Sequence, residues 1–227
     1  MCIRRNSIHK DENRFVFDSG GYMLSTQQID QKRFSYADYL TWDDDKRWEL
    51  IDGEPVLMSP APNRLHQTIS RRMLYQIENY LRNKPCEMFP APFDVRLEAA
   101  ETGNELAFHV VQPDIVVVCD PSKLDDHGCI GAPDWIIEIT SPATASHDHI
   151  VKRAIYERFG VKEYWIIQPV DQIVMVYLLN DTGCYGKPDV YCREDPVQVG
   201  ILPELRIELK EIFDVSAAAV CQNHKTV

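Results

Sequence analysis

Two acidic residues stand inside runs of apolar, mostly β-branched residues, and their type and position are suited to chemistry. Asp114 opens the run 114–118, and Glu138 lies within the run 135–140. A carboxylate in an apolar strand is costly unless it is paired, protonated or bound to a metal ion. If the two strands are neighbours, both carboxylates could reach one hard cation such as Mg²⁺, which binds carboxylate, carbonyl and water oxygens.

Both residues also have a structural interpretation, which the sequence leaves open. Asp114 could cap a turn after Pro113, and Glu138 could pair with a basic residue of the core. Asp134 forms a second Pro-Asp pair, but it lies ~13 Å from Glu138 along the same strand, too far for the two to hold one ion. The metal-site interpretation therefore depends on Asp114 and Glu138 together.

A lysine follows the second acidic strand, on a helix predicted over 148–159. Lys152 shares a helical face with Asp148 and Tyr156, because the three residues are spaced by four. A lysine at this place can orient an attacking water or stabilise charge that develops on a phosphate. An ordinary Asp–Lys pair on the helix is equally compatible with the spacing.

These residues must be positioned by strands and helices that local patterns predict. Asp52-Gly53 between two alternating apolar runs predicts a β-hairpin over 48–58, and apolar residues at helical spacing predict a helix over 63–81. Other predicted strands lie near 86–89, 93–98, 105–111, 114–119, 134–140, 163–168, 172–179, 190–193 and 205–209, with a loop over 128–133. Because residues 134–168 read as a βαβ unit, we predict an α/β fold: a mixed central β-sheet flanked by helices, with an N-terminal β-hairpin.

Length and composition indicate one domain. Of the 227 residues, 44% are hydrophobic and 26% are charged, which is enough for one core. We expect a flexible arm over 1–30, the domain over 31–215 and a flexible tail over 216–227. No apolar run approaches the ~20 residues that cross a bilayer, so no membrane partner is expected. Seven scattered cysteines argue against a disulfide framework and favour a reducing compartment, by default the cytoplasm.

The formal net charge of −11 restricts the partners of the chain. Proteins bind duplex DNA largely through Lys and Arg side chains that neutralise phosphates. A chain this acidic is therefore not expected to coat DNA nonspecifically. A local basic patch or a bound metal ion would still allow contact with phosphate, because local fields matter more than the total charge.

Several short strings, taken in order, make the interpretation more specific. Pro113-Asp114, followed by an acidic residue in an apolar strand with a lysine nearby, resembles the PD-(D/E)XK superfamily, which has the restriction-endonuclease-like fold. The fuller set resembles one bacterial family of that superfamily, the largely uncharacterised Uma-type restriction-endonuclease family, over about 35–215. The matching residues are 48–54 (WELIDGE), 58–60 (MSP), His66-Gln67, 112–115 (QPDI), 131–134 (GAPD), 137–144 (IEITSPAT), Asp148, Lys152, Tyr156 and 160–165 (GVKEYW).

The resemblance implies phosphodiester cleavage that depends on Mg²⁺ or Mn²⁺. It makes Asp114 and Glu138 metal ligands, with the Ile139 carbonyl as a third. It makes Glu49 an upstream acidic residue that aids the binding of metal or water.

One position departs from the superfamily pattern. The superfamily lysine stands two residues after the glutamate, where this chain has Thr140. Lys152 would then replace it from the following helix, and catalysis would depend on whether Lys152 reaches the site. The candidate cleft residues are His66, Gln67, Thr140 and Tyr156.

The leading hypothesis is therefore a Mg-dependent endonuclease acting on DNA, with the catalytic residues Glu49, Asp114, Glu138 and Lys152. Two alternatives remain. One is a catalytically silent binding or regulatory protein of the same fold, and the other is a hydrolase of small phosphoesters, which would suit the acidic charge better. Nucleases that cut both strands often work as two-fold dimers, so a homodimer is expected.

Overall fold

The computed structural model describes residues 16–17, 23–24, 32–142 and 144–214. Apart from two short strands, the predicted arm over 1–30 lies outside the described residues, and so does the predicted tail over 216–227. The helices are α1 (Tyr36–Tyr39), α2 (Arg64–Leu81), α3 (Arg153–Phe159) and α4 (Leu209–Phe213), and a π-helical turn over His147–Lys152 runs into α3. The strands are β1 (Val16–Phe17), β2 (Met23–Leu24), β3 (Trp48–Ile51), β4 (Glu54–Leu57), β5 (Glu87–Pro90), β6 (Asp94–Arg96), β7 (Val110–Val111), β8 (Ile115–Val118), β9 (Leu124–Asp125), β10 (Gly128–Ile130), β11 (Trp135–Ile139), β12 (Glu163–Gln168), β13 (Ile173–Leu178), β14 (Asp189–Cys192), β15 (Pro196–Gln198) and β16 (Arg206–Glu208).

Two six-stranded mixed sheets form the framework. The first has the strand order β4-β3-β7-β6-β10-β9, and the second has the order β14-β13-β12-β11-β8-β5. Each sheet contains one parallel pair, β6–β10 in the first and β11–β12 in the second, and the other neighbours are antiparallel. The predicted α/β class is confirmed. The predicted hairpin is β3–β4, and it forms one edge of the first sheet.

Local signals explain the hairpin and the long helix. Asp52 and Gly53 form the turn with φ angles of 53° and 79°, and a tight two-residue hairpin needs positive φ at both positions. The helix α2 begins after Asn63, whose side chain accepts the backbone N–H of His66. The buried face of α2 consists of Ile69, Met73, Ile77 and Leu81.

The second sheet is covered on both faces. The face that carries Ile137 packs against α2, while the face that carries Ile136 packs against Ile155 and Tyr156 of α3. Because both faces are buried, β8 and β11 read as continuous apolar runs rather than alternating ones. The connection from β11 through the π-helical turn and α3 to the parallel strand β12 confirms the predicted βαβ unit.

Two predictions about strands are wrong. The loop predicted over 128–133 begins with β10, which pairs in parallel with β6. At Gly128 the φ angle is 134°, and a Cβ would lie 2.1 Å from the Asp94 carbonyl oxygen, so glycine permits this close approach of two strands. The strand predicted over 105–111 is reduced to Val110–Val111, and a 3₁₀ turn occupies Asn104–Leu106.

The expectation that the cysteines stay reduced is wrong for Cys86 and Cys119. Cys86 and Cys119 form a disulfide across 33 residues of sequence. The register of β5 on β8 places Glu87 opposite Val118, so the two cysteines flanking these residues face each other. Only the strand pairing brings them together. In the described part of the chain, no helix combines the length and the apolar character needed to cross a membrane.

Candidate active site

The two acidic strands are neighbours, and their carboxylates lie side by side. β8 and β11 are antiparallel with Ile115 opposite Ile137, and one more step of this register places Asp114 opposite Glu138. The backbone N–H of Ile139 donates to Asp114 Oδ2 at 2.8 Å, and the backbone N–H of Asp114 approaches Glu138 Oε2 at 3.4 Å. Each carboxylate is therefore placed by the backbone of the other strand.

Lys152 reaches this pair from the π-helical turn. Its Nζ lies 2.9 Å from Glu138 Oε1 and 2.9 Å from Glu49 Oε1. The hydroxyl of Tyr156 donates to the same Glu138 oxygen at 2.9 Å. All four side chains are buried. The lysine predicted to act from the helix thus lies among the carboxylates, and π-helical turns frequently occur at functional sites.

Glu49 is brought in by β3, a strand of the first sheet. Its Oε1 accepts the backbone N–H of Gln112 at 2.9 Å as well as the Lys152 ammonium. Gln112 is a site residue that sequence reasoning missed, although it directly precedes Pro113-Asp114. Its buried side chain also receives the Arg47 guanidinium and donates to Asp94, so it ties the hairpin to the site.

The site carries an excess of negative charge. Burial is the main cause that raises the pKa of Glu138 to about 8, and Lys152 opposes the shift. The pKa of Glu138 is raised further by three nearby carboxylates, those of Asp148, Asp114 and Glu49. Burial alone would lower the pKa of Lys152, but the surrounding carboxylates outweigh it and raise that pKa well above its ordinary value. Lys152 therefore stays protonated, and the remaining negative charge favours a divalent cation.

The donor set fits Mg²⁺ or Mn²⁺. Glu138 engages Oε1 with Lys152 and Tyr156, and Asp114 engages Oδ2 with Ile139. The oxygens that could bind a shared cation are then Asp114 Oδ1 and Glu138 Oε2, which the Asp114 N–H approaches at 3.4 Å. In the described residues no three acidic, histidine or cysteine side chains converge as a metal cluster. Two carboxylates, completed by a carbonyl and waters, would be a typical set for Mg²⁺.

The Pro-Asp order explains how the Ile139 carbonyl is made available. Extending the register of β8 on β11 places Ile139 opposite Pro113. The N–H of Ile139 points toward β8, and the carbonyl of a strand residue points to the same side as its N–H. Proline has no N–H to donate to that carbonyl. The carbonyl predicted as the third ligand therefore points toward β8 without a backbone donor opposite it.

The remaining candidate residues lie in different surroundings. His66, at the start of α2, contacts Asp114 Oδ2 at 3.0 Å, whereas Gln67 is exposed. The hydroxyl of Thr140 donates to the Ile167 carbonyl at 3.3 Å, toward β12.

Two sequence motifs that could have been metal sites have other contacts. Asp134 is paired with Lys162 at 2.6 Å and also accepts the Cys119 N–H, so it fixes local structure. In the run 147–149, Asp148 is buried near Lys152, while His149 contacts Gln168.

A family model, a sequence relative and a solved structure are similar to this chain. The family model Uma2, described as "Putative restriction endonuclease", matches residues 36–210. An uncharacterised protein of Synechocystis sp. is 26% identical over 154 residues, which cover 66% of this chain and 77% of that protein. A crystal structure described as a "putative nuclease belonging to DUF820", from Anabaena variabilis, covers 79% of this chain and 97% of its own, with a TM-score of 0.62 and 22% identity. At that identity, the solved structure bears on the fold alone.

Proposed function

The chain belongs to the Uma2 family, and we propose that it is a metal-dependent endonuclease that hydrolyses phosphodiester bonds of DNA with Mg²⁺ or Mn²⁺. One observation carries this proposal. The Lys152 ammonium lies 2.9 Å from both Glu49 and Glu138, and the backbone N–H of Asp114 approaches the Glu138 carboxylate at 3.4 Å. The site thus combines carboxylates on two adjacent strands, Asp114 and Glu138, with a protonated lysine that links Glu138 to a third carboxylate, Glu49. This combination suits a reaction at a phosphate.

Each residue has a role that its contacts support. Asp114, Glu138 and the Ile139 carbonyl would hold the metal ion. When bound, the ion would polarise a phosphoryl oxygen and lower the pKa of a bound water. The protein supplies the fixed oxygens for this chemistry, because Tyr156 and Lys152 hold the Glu138 carboxylate in one orientation.

Lys152 acts as a fixed positive charge in this proposal. An ammonium has three donors and no acceptor, and its raised pKa keeps it protonated, so it is unsuited to act as a general base. Glu49 and Glu138 engage two of the three N–H groups. The third can donate to a phosphate oxygen or to the attacking water, where it would stabilise developing negative charge.

A direct test compares cleavage by the wild type and by three near-isosteric variants. Purified protein is incubated with supercoiled plasmid, single-stranded DNA, RNA and a small aryl phosphodiester, each with Mg²⁺, with Mn²⁺ or with EDTA. We expect cleavage of DNA only with metal, and a loss of about 100-fold or more in Asp114→Asn, Glu138→Gln and Lys152→Met, the scale seen when a transition-state contact is removed.

A matched control is present in the chain. Asp189 also follows a proline but is exposed on the edge strand β14, so Asp189→Asn should cleave at the wild-type rate. If only RNA or only the small ester is cleaved, that compound is the substrate and the assignment to DNA is wrong. If the wild type cleaves none of these substrates with either metal, or if the site variants cleave equally well, the proposal is refuted.

A further inference from the structure

We infer that His66 is a positioning residue, which holds the Asp114 carboxylate so that one of its oxygens is directed to the metal ion. This inference rests on the proposed function, because it concerns the same metal site. His66 stands 48 residues before Asp114, and the ring Nε2 lies 3.0 Å from Asp114 Oδ2. Only 12% of the His66 side chain and 20% of the Asp114 side chain are exposed.

The contact selects one oxygen of Asp114. Oδ2 accepts both the Ile139 backbone N–H at 2.8 Å and the His66 ring at 3.0 Å. An oxygen with two donors has both lone-pair directions engaged. Oδ1 is thereby left to bind the metal ion, just as Tyr156 and Lys152 both engage Oε1 of Glu138 and leave Oε2 with only the long 3.4 Å approach of the Asp114 N–H.

The histidine ring has no other structural task in the described part of the chain. An ionised carboxylate such as that of Asp114 can only accept hydrogen bonds. The contact therefore requires that Nε2 of His66 carries the hydrogen. The opposite nitrogen, Nδ1, is buried and has no hydrogen-bond partner among the described residues. This ring bonds through one nitrogen only, and that bond is to Asp114.

A rigid element places the ring. His66 is in the first turn of α2, where its backbone N–H is capped by the Asn63 side chain at 3.0 Å. The helix has 18 residues and is anchored by a continuous buried face against the second sheet. The backbone from which the His66 ring extends is therefore fixed in position relative to β8. The positive end of the helix dipole also favours the negative charge of Asp114.

The inference predicts an effect on metal affinity. Removing a partner that orients a metal ligand typically weakens metal binding by 10–100-fold. We expect His66→Ala to weaken Mn²⁺ binding by about that factor. His66→Gln should restore most of the affinity, because the glutamine amide can present an N–H close to the position of Nε2.

The experiment is calorimetric titration of the full chain with Mn²⁺, for the wild type, His66→Ala, His66→Gln and the exposed neighbour Gln67→Ala as control. Melting in EDTA reports whether each variant is folded. Asp114→Asn is titrated with and without His66→Ala, because the effect of His66 should vanish when its partner is changed.

The outcomes separate this inference from the proposed function. Weaker binding in His66→Ala, recovery in His66→Gln and an unchanged Gln67→Ala support it. Equal affinity in the wild type and a folded His66→Ala overturns the inference but leaves the metal site intact. If His66→Ala does not fold, His66→Asn decides in its place, since that shorter amide cannot reach Oδ2 from the same backbone position. Absence of Mn²⁺ binding by the wild type overturns both proposals.

Discussion

Replacing the buried lysine by methionine tests the electrostatics of the site without any assumption about its substrate. Lys152 contacts Glu49 and Glu138, each at 2.9 Å, and all three side chains are buried. Methionine fills a similar volume but leaves the carboxylates without their counter-charge. Breaking a buried ion pair by removing one partner destabilises a protein by about 3–5 kcal/mol. That loss is a large part of the 5–15 kcal/mol that typically separates folded and unfolded states.

The assay is urea unfolding in EDTA at neutral pH, followed by the fluorescence of the buried Trp135 and Trp165. With a slope of about 2–3 kcal/mol per molar urea, the midpoint of Lys152→Met should fall by about 1–2.5 M. Adding Glu49→Gln and Glu138→Gln to this variant should recover about half of the loss, because the unpaired charges are removed.

Two further measurements make the reasoning refutable. Mg²⁺ should raise the midpoint of Lys152→Met more than that of the wild type, because the cation can supply the missing positive charge. Lys84→Met removes a lysine from an exposed pair with Glu204 and should leave the midpoint unchanged. If Lys152→Met lies within about 1 kcal/mol of the wild type in EDTA, the lysine does not stabilise the carboxylate cluster and its proposed electrostatic role is wrong.

Three other features give predictions. Burial alone would raise the pKa of Glu98, but the hydrogen bond and charge of His109 outweigh it and lower that pKa below its ordinary value of 4.5. The resulting stabilisation is present above about pH 4.5 and is lost as the pH falls further, so Glu98→Gln should flatten the acid side of a plot of urea midpoint against pH; an unchanged slope would contradict this. Reduction of the Cys86–Cys119 disulfide, which spans 33 residues, should lower the free energy of unfolding by about 2–4 kcal/mol; Cys86→Ser should be less stable than the wild type under oxidising conditions and should lose less stability on reduction. Leu57 is 55% exposed on the edge strand β4, so we expect the homodimer to form there and Leu57→Asp to shift the mass measured by light scattering toward the monomer; a monomeric wild type would refute the dimer.

The elements that could be predicted from sequence have local causes. The Asp52-Gly53 turn fixes its hairpin through backbone conformations that few other residues adopt. The helix α2 follows from the spacing of its apolar residues and from the cap at Asn63. The apolar runs around Asp114 and Glu138 signal strands buried on both faces, so the cost of their carboxylates could be recognised from the residue types alone.

The features that escaped prediction depend on pairing between distant segments. The Cys86–Cys119 disulfide follows from the register of β5 on β8, which no local pattern encodes. The strand β10 is hidden in the sequence because Gly128, a loop signal, serves a close approach to Asp94. The contact between His66 and Asp114 joins the first turn of a helix to a residue 48 positions away. Sequence supplies these residues as candidates but not their partners.

The position of Lys152 shows how a lysine can reach a strand carboxylate from outside that strand. Thr140 shares a strand face with Glu138, and its hydroxyl is engaged with the Ile167 carbonyl. The positive charge that contacts the Glu138 carboxylate does not have to come from the strand that carries Glu138. The π-helical turn brings Lys152 to that carboxylate from the βαβ crossover, with Tyr156 one turn further on. Because the carboxylates are fixed by strand pairing and the ammonium by a helix packed on the same face, the two-residue spacing can be lost without losing the ion pair.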